Sequence, residues 1–120
     1  MGTWGTGIQD NDTASDVYSD YISLLKTHSV EITMQKIAAH YASKINSYEE
    51  SNNYWLALAS AQLDTNTLQA DVVDKVTTII ETGTDLALWK ELKATEQDLE
   101  TRKAVLNAFL IQLKEAGKHH

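Results

Sequence analysis

Cysteine and proline are absent from this 120-residue chain, and glycine occurs only five times. Without cysteine there can be no disulfide, iron–sulfur cluster, thiolate zinc ligand or thiol nucleophile, and a reducing compartment is the natural setting. Three of the five glycines fall in the first seven residues, so the rest of the chain holds few residues that interrupt a helix. A β-sandwich or barrel needs turn residues about every ten positions, and they are missing. Basic charge is also scarce: 10 Lys+Arg stand against 17 Asp+Glu, a formal net charge of −7. Phosphate backbones and anionic membrane surfaces both require clustered cations, so neither nucleic acid nor membrane is expected as a partner. No apolar run approaches the roughly 18 residues of a membrane span. The opening Met1-Gly2-Thr3-Trp4-Gly5 has neither the basic nor the apolar region of a signal peptide. The expected location is cytoplasmic.

What remains is rich in core-forming residues. Hydrophobic residues make up 42% of the chain, with three Trp and five Tyr among them, and they recur at helical rather than alternating spacing. Asn11 or Asp12 can cap a first helix whose Ala14, Val17, Tyr18, Tyr21, Ile22 and Leu25 form one stripe, ending near Lys26 to His28. Ser29 caps a second, read through Met34, Ile37, Ala38, Tyr41, Ala42, Ile45 and Tyr48 to Glu49. Residues 54–63 are apolar nearly all round, which predicts a central, buried helix. A fourth helix over 68–82 carries Val72, Val73, Val76, Ile79 and Ile80, with Gly83 placed as its left-handed terminator. Thr84 or Asp85 caps a short fifth helix bearing Leu86, Trp89 and Leu92. The sixth, over 95–116, sets Leu99, Leu106, Phe109, Leu110 and Leu113 on one face and Glu96, Asp98, Glu100, Arg102 and Lys103 on the solvent face. The fold expected is all-α: a compact irregular bundle of about six helices with an irregular Gly-rich N-terminal segment. Residues 1–117 form one helical domain, and 118–120, Lys-His-His, read as a tag remnant.

Motifs for chemistry are lacking. Neither His28 nor His40 has the spacing of a zinc site. No nucleophile elbow is present, and Gly2-x-x-Gly5-x-Gly7 lacks the Lys-Ser/Thr end of a phosphate loop. Asp10-x-Asp12 begins like a calcium loop but continues with Ser15 where glycine is needed and Tyr21 where glutamate is needed. No catalytic, metal or cofactor site is therefore expected. The sharpest feature is electrostatic. Asp10, Asp12, Asp16 and Asp20 lie in a 25-residue stretch without Lys or Arg, and Asp12, Asp16 and Asp20 follow i, i+4, i+8 as a carboxylate ridge on the first helix. With Trp4 as an aromatic anchor, these residues are the candidate partner-binding set, suited to a basic protein.

The opening Met1-Gly-Thr-Trp-Gly-Thr-Gly-Ile8, followed by Asp10-Asn-Asp-Thr-Ala14 and Asp16, resembles the start of a bacterial family of small proteins without an assigned activity, which begin Gly-x-Trp-Gly-x-Gly and continue through an Asp/Asn-rich step into a helix. Tyr54-Trp55-Leu56-Ala57-Leu58-Ala59, Ile80-Glu-Thr-Gly-Thr-Asp-Leu-Ala-Leu-Trp89 and Arg102-Lys-Ala-Val-Leu106 are similar to later segments of that family, and Gln9 departs from its usual Phe. The resemblance implies a helical fold and an association with polymorphic toxins as an immunity protein. The expected function is thus a non-enzymatic protein-binding module that inhibits a toxin domain through an acidic helical surface. The alternatives are a small-ligand binder or enzyme using the Gly-rich segment with Asp10, Asp12 and Trp4, and a structural module that dimerises through the last helix.

Overall fold

The computed structural model describes residues 7, 8 and 10–117, and these form seven helices: α1 (Asp12–Leu25), α2 (Val30–His40), α3 (Ala42–Ile45), α4 (Ser51–Asp64), α5 (Ala70–Glu81), α6 (Thr84–Glu91) and α7 (Glu96–Gly117). No strand occurs among the described residues. The shortest dimension, 21 Å, equals about two helix diameters, so the bundle is two layers thick. Trp4, Gln9 and the 118–120 segment lie outside the described residues.

α4 occupies the centre, as its unbroken apolar composition requires. Leu56, Ala57, Leu58, Ala59 and Ala61 are fully buried, and its small residues let α1 pack against one side and α5 against the other. α1 presents Ala14, Val17 and Tyr21 to it, α5 presents Val72 and Val76, and α7 covers α5 with Leu106, Phe109 and Leu113. Asn11 caps α1, its side chain accepting the Ala14 N–H at 2.8 Å, and Ser29 caps α2 by accepting from Ile32 N–H at 3.2 Å.

The second helix is not continuous to Glu49. It breaks at Tyr41, whose φ of −104° and ψ of 20° lie outside the helical basin. Tyr41 turns its ring inward, 7% exposed, and donates its hydroxyl to Asp20. The break redirects the chain: α2 packs on α1, whereas α3 packs on α4. Ala38, Ala42 and Tyr48, read from the sequence as parts of one buried stripe, are consequently exposed.

Three helices end on a left-handed residue. Gly83 follows α5 with φ +71°, as expected. Asn66 (φ 58°) and Lys93 (φ 70°) do the same after α4 and α6. At both, paired backbone bonds close the helix end: Thr67 N–H to Gln62 carbonyl at 2.9 Å and Asn66 N–H to Leu63 carbonyl at 3.3 Å, then Ala94 N–H to Trp89 carbonyl and Lys93 N–H to Lys90 carbonyl, each at 3.1 Å.

The largest departure from expectation is Arg102. It does not line the solvent face of α7: its side chain is fully buried, and Asp85 does not cap α6 but lies buried opposite it. Arg102 Nε donates to Asp85 Oδ2 at 2.8 Å, Nη1 donates to the Gly7 carbonyl at 3.1 Å, and the guanidinium lies over the Trp89 ring at 4.8 Å. The physical reason is phase. Arg102 continues the Leu106, Phe109, Leu113 stripe, and Asp85 precedes Leu88 and Trp89 on theirs. Burying two opposite charges together avoids the cost of burying either alone.

Candidate functional site

α1 carries the expected acidic residues, but the fold divides them. Asp10 is committed locally. Its carboxylate accepts the Gly7 N–H at 2.8 Å while its own N–H donates to the Gly7 carbonyl at 3.2 Å. That turn presents the Gly7 carbonyl to Arg102, so Asp10 serves to hold Gly7 in place. The turn leaves no room for a Cβ at Gly7, which would lie 2.6 Å from Asp10 Oδ2. Asp12 and Asp16 are exposed on α1. Asp20 is half-buried and accepts the Tyr41 hydroxyl. Trp4, the fifth expected contributor, lies outside the described residues.

Folding then adds acids that are remote in sequence. A groove of about 210 Å³ lies at the N-terminal end of α1, lined by Asn11, Asp12, Thr13, Glu49, Glu50, Asn53 and Leu92. Asp12 therefore shares a concave surface with two carboxylates from the turn before α4, and Leu92 at the end of α6 supplies an apolar wall that is 39% exposed. Nearby in sequence to these residues, Tyr48 is 65% exposed and donates to Glu91 at 3.0 Å. Glu49 and Glu50 were missed because a sequence pairs residues by helical spacing, and these meet Asp12 only through tertiary packing. The Glu49-Glu50 doublet was the available signal.

A second concavity of about 320 Å³ separates α1 from α2. It is lined by Asp20, Ser23 and Leu24 on one wall and Lys36, Ile37 and His40 on the other. Tyr41 braces it: the hydroxyl holds Asp20, and the ring meets His40 edge-on with centroids 4.7 Å apart. Burial first, then the Asp20 bond and the charges of Asp20 and Asp16, drive the Tyr41 hydroxyl well above the usual tyrosine range. Tyr18 is raised in the same sense, chiefly by its 2.5 Å bond to Asp64. Tyr54, on the core side of α4, is pushed up to about 12 by burial.

Among the described residues no group of three or more His, Asp or Glu is arranged to hold a metal ion, and no helix is long and apolar enough to cross a membrane. Comparison with family models, with curated proteins and with solved structures finds no match.

Proposed function

We propose that the chain is a protein-binding module, an immunity-type inhibitor that neutralises a bacterial toxin domain through an acidic helical surface. The observation carrying this reading is the convergence of Asp12 with Glu49 and Glu50 around an exposed Leu92. Asp16 extends the same sign of charge one turn along α1. Carboxylates around an apolar contact suit a Lys- or Arg-rich surface. The charges speed and orient encounter, and the apolar centre holds the complex. A toxin domain that acts on nucleic acid presents such cations at its own catalytic face, and an acidic protein seated there blocks access without chemistry. An interface of ordinary size needs about 800 Å² from each partner, so it would extend from this groove over the neighbouring faces of α1 and α6.

The test is calorimetric titration against any toxin domain that a neighbouring gene encodes, with protection of cells that express it. Binding tighter than about 1 μM, a rate of association that falls with salt, and loss of at least about tenfold in affinity for the Asp12→Asn, Glu49→Gln, Glu50→Gln triple variant are expected. Absence of binding together with absence of protection refutes the proposal.

A further inference from the structure

The cleft between α1 and α2 has a chemistry that the acidic groove lacks. Its walls carry opposite charge. α1 contributes the Asp20 carboxylate and the Ser23 hydroxyl, while α2 contributes Lys36 and His40, one helical turn apart on the same face. The floor between them is apolar, formed by half-buried Leu24 and by Ile37, which is 1% exposed. In an acidic protein, facing charges of opposite sign would be expected to close on one another. Here the ion pairs among the described residues are Arg102 with Asp85 and Lys114 with Glu81, so Asp20 is not paired with Lys36 or His40. Tyr41 accounts for the separation. Its hydroxyl fixes Asp20 from the side, and its ring stands against His40. Asp20 thereby uses one acceptor position and retains others.

We propose that this cleft binds a small zwitterion of the α-amino-acid type with an aliphatic side chain. The ammonium group meets Asp20 and the Ser23 hydroxyl, the carboxylate meets Lys36 and His40, and the aliphatic side chain covers Leu24 and Ile37. At about 320 Å³ the space falls at the small end of ligand sites, suited to a molecule of about ten non-hydrogen atoms. A ligand of that size in an open cleft binds with a dissociation constant on the order of 1 mM. The site lies two turns along α1 from Asp12, about 12 Å by helical rise, and is independent of the proposed toxin surface.

The experiment is a titration of the full chain, uniformly labelled with nitrogen-15, with L-leucine, N-acetyl-L-leucine and L-leucinamide in turn. The second compound lacks the positive charge and the third the negative. Expected are saturable shifts of the backbone amides of residues 20–24 and 36–40 with L-leucine, and about tenfold weaker binding of each blocked compound. Asp20→Asn and Lys36→Gln should each weaken L-leucine by about tenfold as well. The asparagine oxygen can still accept from Tyr41, and Lys36 is exposed, so both variants keep the fold. Asp12→Asn should leave the titration unchanged. No saturable shift up to roughly 20 mM L-leucine, or equal binding of L-leucine and N-acetyl-L-leucine, overturns the proposal.

Discussion

Replacing Arg102 with Met tests the buried ion pair on which α6, α7 and Gly7 converge. Methionine preserves the length and much of the apolar contact of the arginine stem, including its packing toward Trp89. It removes the charge that Asp85 faces at 2.8 Å and the donor that holds the Gly7 carbonyl at 3.1 Å. Asp85 is 1% exposed, and its Oδ1 already has no hydrogen-bond partner among the described residues, so solvent cannot take over the lost interaction. Stranding a carboxylate in this way costs about 3–5 kcal/mol, and losing the Gly7 bond adds about 1 kcal/mol. A domain of this size has roughly 5–15 kcal/mol of stability in all. With a urea slope of about 1.5 kcal/mol per molar, the unfolding midpoint should fall by about 3–4 M. Adding Asp85→Leu should recover most of the loss, because an apolar pair of similar volume is neutral or better than a buried ion pair. In that double variant the Asp10 amide, which donates to the Gly7 carbonyl, should exchange with solvent faster even though global stability is restored. A midpoint shift below about 0.5 M for Arg102→Met would refute the argument that the pair is buried and coupled.

Other expectations follow from the same structure. Lys93 holds φ +70° where Gly83 holds +71°, so Lys93→Gly should stabilise by about 0.5–1 kcal/mol and Gly83→Ala should destabilise by about 1 kcal/mol in thermal melts. Gln62 is fully buried, donates to Gln69 Oε1 at 2.9 Å and accepts the Gln69 N–H at 3.1 Å. Gln62→Leu should therefore cost about 2–4 kcal/mol in urea unfolding, since both Gln69 groups lose their partner. Tyr41 and Tyr54 ionise at higher pH in the folded chain than the ordinary value of 10.0. Their neutral forms are therefore favoured by folding, and the stability they contribute is intact below pH 10.0 and is lost as pH climbs towards about 12, where Tyr54 ionises. Near-ultraviolet tyrosinate absorbance, followed with and without denaturant, should show this delayed titration, and Tyr41→Phe should reduce it.

The helical class, the central position of α4 and most of the apolar stripes were legible because each is written in local spacing. Val72, Val76 and Ile79, or Leu106, Phe109 and Leu113, repeat at helical period whatever surrounds them. The break at Tyr41 was not legible: the same period runs through it, and only the packing of α3 on α4 and the bond to Asp20 make a turn preferable to a longer helix. Arg102 was misplaced for a different reason. Reading by residue type sent it to the solvent face, whereas reading by phase alone would have put both it and Asp85 inside, and opposite signs at two buried phases announce a pair. In the candidate site the ridge on α1 was readable as far as Asp12 and Asp16. Asp10 and Asp20 were drawn into turn formation and the Tyr41 bond, while Glu49 and Glu50 joined through contacts that span the bundle.

The bond between Gly7 and Arg102 joins residues 95 positions apart. Gly7 and Asp85 are both made before the guanidinium that each contacts, and closing so long a loop costs about 4 kcal/mol in chain entropy. Until α7 arrives, Asp85 has no counter-charge and the Gly7 carbonyl lacks the guanidinium it accepts from. The last helix to be made thus closes the bundle over its beginning, and a chain that ends before Arg102 lacks both bonds.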